Sequence, residues 1–260
     1  MDKSIRYGLI AAGTLSVVLA VGFFLGMSWA TDLWFWQDSR LSYIFISSIL
    51  AAIGIPVIWI GWSREFAALR GGALDLAPTD AGAAIFLFLE SRPTGDPRLW
   101  MGSLAFVVLF FVSVGVYFWS RRYSTSDPRV LPPPVRYSFV IFALVLIGVG
   151  TLLVLRLPNI FPWPLKPNSS VLYGLIFWGA AVYFIHAILH PKWNYGAGQL
   201  AGFLAYDLIL IGPFLAHFAN VLPEQRTSLV IYTTVLLYSG ALAIYYLFIN
   251  KPTQIWKLRA

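Results

Sequence analysis

Apolar residues fall in runs of about twenty along this chain, each closed by Trp, Arg, Lys, Pro or Gly, and that spacing predicts helices that cross a bilayer. Seven runs are plain, at about 7–29, 41–62, 99–120, 137–155, 171–190, 198–219 and 228–249. The stretch 63–98 is ambiguous, with a polar first half and a short apolar run from Ala81 to Leu89. Pro78-Thr79-Asp80 has the form of a helix start and Pro93 of an exit, which predicts a short helix at about 80–91. Twelve helical residues cover roughly 18 Å, less than the roughly 30 Å hydrocarbon core. This segment is therefore expected to lie in the interface or to form half of a passage broken around Gly71-Gly72 and Pro78. The expected fold is all-α: one membrane-embedded domain over 1–260, a bundle of seven firm transmembrane helices plus one short or broken helix. Eight passages result if that segment crosses.

Local signals refine the picture. The run 121–136, with four Arg and three consecutive prolines, is expected to be an extended polar connection. LPNIFPWPLKPNSS, after Arg156, is expected to form a rigid cap lying on the interface. KWNYGAG predicts a tight return that makes the helices on either side of it antiparallel neighbours. Gly54 and the Ser47-Ser48 pair offer close helix contact, and nearly every Trp falls at a predicted helix end, as an aromatic belt requires.

Composition narrows the class. Hydrophobic residues make up 59% of the chain and charged residues 11%, against roughly 25% charged in soluble domains. No stretch between the apolar runs is long enough to bury a soluble core. The net charge of +7 comes from Lys and Arg scattered singly at the ends of apolar runs. They suit lipid headgroups and topology, not nucleic acid. The chain has no Cys, which removes disulfides and thiolate chemistry. The first apolar run is longer than the roughly 7–15 residues of a signal-peptide core, so it is expected to stay as a first span with a cytoplasmic N-terminus. With seven passages the 18 Lys and Arg divide evenly between the two sides. With eight, the cytoplasmic side carries twice as many as the other, which recovers the positive-inside bias. The expected location is the bacterial plasma (inner) membrane, with both termini cytoplasmic.

The candidate chemistry centres on Asp207, the one acid deep inside a plain span. An ionised Asp at the bilayer centre costs roughly 2.5–3.5 kcal/mol, so its side chain is expected to face protein or trapped water. Tyr206 adjoins it, and Tyr183, His186 and His190 share one face of the preceding span. Asp207, Tyr206, Tyr183 and His186 form the candidate proton or cation site, with a neutral, hydrogen-bonded structural carboxyl as the competing explanation. Asp75 and Asp80, flanking Pro78, are secondary candidates for a cation site in a discontinuous helix. His186 and His190 have the i, i+4 spacing that can hold a metal, yet no further His or Cys lies near, and no metal site is expected. No cofactor is expected, although a single axial ligand to haem or chlorophyll from His186 or His217 stays open. The last span has no internal Lys, which removes a retinal Schiff base.

Two functions fit these observations. The first is a non-catalytic accessory or structural subunit of a bacterial membrane complex, associating with lipids and with other membrane subunits or with itself. The second is a proton- or cation-coupled transporter of a small solute, working through Asp207.

Overall fold

The computed structural model describes residues 2–256. In chain order its helices are α1 (Asp2–Leu25), the single turn α2 (Ser28–Thr31), α3 (Arg40–Ser63), α4 (Leu69–Thr94) and α5 (Pro97–Ser120). There follow α6 (Pro133–Val154), α7 (Pro167–Leu189), α8 (Trp193–His217) and α9 (Arg226–Ile244), the last running on into a π-helical turn, Tyr245–Ile249. All except α2 are long and apolar enough to cross a membrane. The chain is an all-α, multi-pass integral membrane protein. In hydrocarbon every backbone N–H and C=O must find its partner inside the segment, so a long apolar run has no cheaper state than a helix. The ends are set locally. Ser39 accepts a hydrogen bond from the Ser42 amide (3.2 Å) and Asp96 one from the Arg98 amide (2.8 Å), each satisfying an otherwise free donor. Gly26 (φ +69°) and Gly95 (φ +64°) close α1 and α4 in the left-handed region.

The expectation of a short helix at 80–91 is corrected. A 3₁₀ turn, Phe66–Ala68, leads into one unbroken helix of 26 residues, so there are eight long passages and not seven. Pro78 removes one amide donor from its interior, the one that would reach the Leu74 carbonyl, and the next turn carries an added bond from the Thr79 hydroxyl to the Asp75 carbonyl at 3.0 Å. A break in hydrocarbon would strand several backbone groups, whereas an internal proline strands one. The other end points also move. Pro133 and Pro134 form the first turn of α6, where a missing N–H costs nothing. Trp193 begins α8, so only three residues, 190–192, separate it from α7.

The eight long helices form two rows. One runs α1, α3, α8, α9 and the other α5, α4, α7, α6, each helix packing chiefly on its row neighbours. Hence α7 and α8, expected to be packed neighbours across a tight turn, stand in different rows and touch sparingly. Small residues explain the order. A Cβ on Gly13 of α1 would lie 2.7 Å from the Gly54 carbonyl of α3, one on Gly202 of α8 2.8 Å from the Ala52 carbonyl of α3, and one on Gly174 of α7 2.6 Å from the Gly150 carbonyl of α6. Gly71 takes the ring of Tyr183, and Gly179 takes Asp75, between α4 and α7.

Aromatic rings join the rows. Phe45 of α3 meets Tyr173 of α7 (centroids 4.6 Å apart) and Tyr206 of α8 (6.0 Å), and Phe142 of α6 meets Phe203 of α8 (5.2 Å). The proline-rich 157–166 segment does not lie flat as a cap. Its Phe161 and Trp163 are buried among these rings, with Trp163 Nε1 donating to Ser42 Oγ at 3.0 Å. Trp193 is likewise fully buried, so these two indoles belong to the core and not to an aromatic belt.

Candidate functional site

Beside the aromatic core the rows part around a cavity of about 390 Å³. Its wall is mostly aliphatic and aromatic, from α3, α6, α7 and α9. Polar groups enter from three helices and one loop: Asp75 and Thr79 of α4, Gln199, Tyr206 and Asp207 of α8, Ser228, Tyr232 and Ser239 of α9, and Asn159 after α6. Among the described residues no Lys, Arg or His lines it.

Asp207 is 5% exposed. Ser239 Oγ donates to its Oδ2 at 2.8 Å, while its Oδ1 is buried and has no hydrogen-bond partner. Next to it the hydroxyls of Tyr206 and Tyr232 hydrogen-bond one another, linking α8 to α9. Asp75 reaches the same cavity from the opposite row, its carboxylate lying over Gly179. Because α4 and α8 cross in the same direction, and Asp75 and Gln199 occupy equivalent positions from their first residues, these two side chains stand at similar depth. Asp207 is eight residues further along α8, which is roughly 12 Å. The cavity thus holds two acids at two levels, one from each row, with no cation to pair either. Such an arrangement can hold protons or a positively charged solute; it is unfavourable for an anion.

The other candidates stand elsewhere. Asp80 turns to α5, where Ser113 Oγ donates to its Oδ2 at 3.0 Å. Tyr183 donates to the Tyr195 carbonyl at 3.0 Å and does not line the cavity. His186 belongs to a cluster at the opening of α8, its ring 4.5 Å from that of His190 and 4.8 Å from that of Tyr195, with its Nε2 buried and unpartnered. Arg70 completes this cluster through the Tyr195 hydroxyl (3.2 Å) and the carbonyls of Ser120 and Tyr123. His217 lies at the far end of α8 and donates to the Pro162 carbonyl at 2.8 Å. Among the described residues no three His, Cys, Asp or Glu side chains converge as a metal site would require.

Tyr206 and Asp207 were visible as a polar pair in the sequence and Gln199 falls on one line with Tyr206, whereas Tyr232 and Ser239 were not singled out. Their signal is spacing: Gln199 and Tyr206, and Tyr232 and Ser239, are each seven residues apart and so share a helix face.

Comparison with protein-family models, with curated proteins and with solved structures finds no match.

Proposed function

We propose that the protein is a proton- or cation-coupled transporter of a small solute, with the cavity as its binding site and Asp207 and Asp75 as the groups that exchange solute or cation for protons. The observation that carries this is the pair of acids, one on each row, in an apolar cavity without a counter-charge. Stability alone disfavours such a pair, since a buried carboxylate without a partner is costly and a buried apolar side chain is not. The volume falls in the small-molecule range of roughly 300–1,000 Å³. The alternative, an accessory subunit, draws on the aromatic-rich outer surface, which lipid by itself is able to cover.

The test uses purified protein in liposomes containing a pH-sensitive dye, challenged with gradients of sodium, of primary and quaternary amines, of lipophilic cations, and of neutral solutes. Wild type should move protons or cations with at least one of these, and Asp207→Asn should abolish that flux while the protein stays folded and monodisperse. Flux unchanged in Asp207→Asn, or no flux with any member of the panel, refutes the proposal.

A further inference from the structure

We infer that the cavity opens sideways into the bilayer between α6 and α9, and that the solute is a lipophilic cation taken from the membrane instead of from water. This rests on the transporter reading of the cavity and adds the substrate class and the route.

The route follows from how the rows end. α6 and α9 are the last helices of their rows, and neither counts the other among its packing neighbours. Hydrogen bonds tie this edge at both ends of the cavity. Toward the start of α6, Ser138 and Tyr238 share a hydrogen bond of 2.6 Å, and Phe142 packs on the Tyr238 ring with centroids 6.0 Å apart. Beyond the end of α6, Ser228 at the head of α9 donates at 2.6 Å to the carbonyl of Asn159 in the following loop. Between these two ties lie wall residues that are themselves open to the outside: Ile231 is 60% exposed, Val145 45% and Leu152 38%. Each has atoms on the cavity and atoms open to the outside, so the wall here is one side chain thick. Val145 is near the middle of α6 and Leu152 near its end. The gap therefore faces hydrocarbon in the leaflet on the side of the 155–166 loop, and its rim is apolar along the two helices, with Asn159 and Ser228 at the loop end.

The chemistry of the occupant follows from the lining. A water-borne ion meets only two polar groups at the loop end, Asn159 and Ser228, before a mainly apolar wall that strips its hydration. A lipid-borne molecule has no such barrier. Inside, it meets a mainly aliphatic and aromatic wall and the unpartnered Asp207 Oδ1. Two acids and no base select against fatty acids, phospholipids and other anionic amphiphiles. What fits is an apolar body of small-molecule size bearing one positive charge, with the aromatic side chains of Phe142, Phe203, Tyr206 and Tyr232 in the wall around it.

Tetraphenylphosphonium and tetraphenylborate are near-isosteric lipophilic ions of opposite charge, so the pair tests charge selection at fixed shape on the unmodified protein. In lipid nanodiscs, radiolabelled tetraphenylphosphonium should bind saturably and tetraphenylborate should not, and Asp207→Asn should weaken the cation at least tenfold. Ile231→Trp and Val145→Trp, both on the rim, should slow association several-fold while leaving equilibrium affinity within about twofold. Equal binding of the two ions overturns the substrate class. Association unchanged in both tryptophan variants overturns the lateral route. If instead a water-soluble amine or sodium shows Asp207-dependent flux while tetraphenylphosphonium does not bind, the transporter reading stands and this inference fails; absence of any Asp207-dependent binding or flux removes both.

Discussion

Gly179 ties the fold to the site, and replacing it by alanine should damage both. A Cβ at this position would lie 2.7 Å from Asp75 Oδ1 and closer still to the Asp75 carbonyl oxygen and Thr79 Oγ1. Ordinary contact begins near 3.4 Å and the Asp75 carbonyl would lie at 2.4 Å, so α4 must withdraw from α7 by about 1 Å. Rotating the Asp75 side chain does not help, because its backbone carbonyl is in the way as well. Overpacking of this kind costs about 1–3 kcal/mol. Gly72, on α4, supplies the control: a Cβ there meets nothing within 4 Å, and alanine gains up to about 1 kcal/mol of helix propensity. The two variants should move in opposite directions when the folded protein in mild detergent is titrated with SDS and followed by tryptophan fluorescence. Gly179→Ala should also weaken any cation binding that depends on Asp75, and Gly72→Ala should not. If Gly179→Ala unfolds at the wild-type midpoint, the contact of α4 with α7 is looser than described and Asp75 is not held where the cavity needs it.

Asp207→Leu should unfold within about 1 kcal/mol of wild type, because Ser239 keeps its bonds to the Val235 and Leu236 carbonyls, whereas Asp207→Lys, a longer buried cation with no acceptor but Ser239, should cost several kcal/mol; equal midpoints would mean water fills the site. Glu65 lies outside the spans, where burial raises its carboxyl above the usual 4.5, opposed first by the Ser126 amide. An acid raised on folding withdraws stability as pH climbs from its unfolded value through its folded one, so Glu65→Gln, which still accepts from Ser126, should gain on wild type in thermal midpoint as pH rises above 4.5; a flat difference would contradict this. Orientation can be read with single cysteines near the helix ends, since the chain has none of its own: Thr94→Cys and Asn220→Cys should react with an impermeant maleimide from outside the cell, and Ser4→Cys and Ser124→Cys should not. The reverse pattern would invert the topology.

The spans themselves were legible because apolar length is a signal that lipid imposes on sequence, and each of the seven plain runs became a helix. The eighth was hidden by Gly71, Gly72, Asp75, Pro78 and Asp80, residues that argue for a loop when each is weighed against water. Inside the bundle two of them have partners that hydropathy does not show: the Tyr183 ring for Gly71, and Ser113 for Asp80. Recognising that crossing also changes the site, since Asp75 joins Asp207 only if α4 spans. Row order was illegible for a related reason. A short link between α7 and α8 implies that they pack together, but packing in lipid follows backbone approach, and the glycines that allow it face other helices. The charge pattern points the same way as the eighth crossing. With α4 across, Lys3, Arg6, Arg64, Arg70, Arg121, Arg122, Arg129, Arg136, Lys192 and Lys251 lie toward one side. Arg40, Arg92, Arg98, Arg156, Lys166 and Arg226 lie toward the other. Lys257 and Arg259, which the sequence places with the first group, lie outside the described residues.

The division into rows has a mechanical consequence for the proposed transporter. Asp75 belongs to the row α5–α4–α7–α6 and Asp207 to α1–α3–α8–α9, and the backbone-to-backbone contacts fall within rows, not between them. Each row is therefore stiff, and the seam between them, made of aromatic side chains, is where relative movement costs least. A cation held between the two acids gains from both only when the rows are close, so its binding must favour that arrangement by the difference in affinity. For the pair Thr94→Cys with Asn220→Cys, one label on each row, double electron–electron resonance in nanodiscs should show a narrower, shorter distance distribution when tetraphenylphosphonium is added. Either Asp75→Asn or Asp207→Asn alone should abolish the change, because each removes one side of the bridge. A shift that survives both single substitutions would mean that the rows respond to lipid or charge in general, and the two carboxylates would then have no shared ligand.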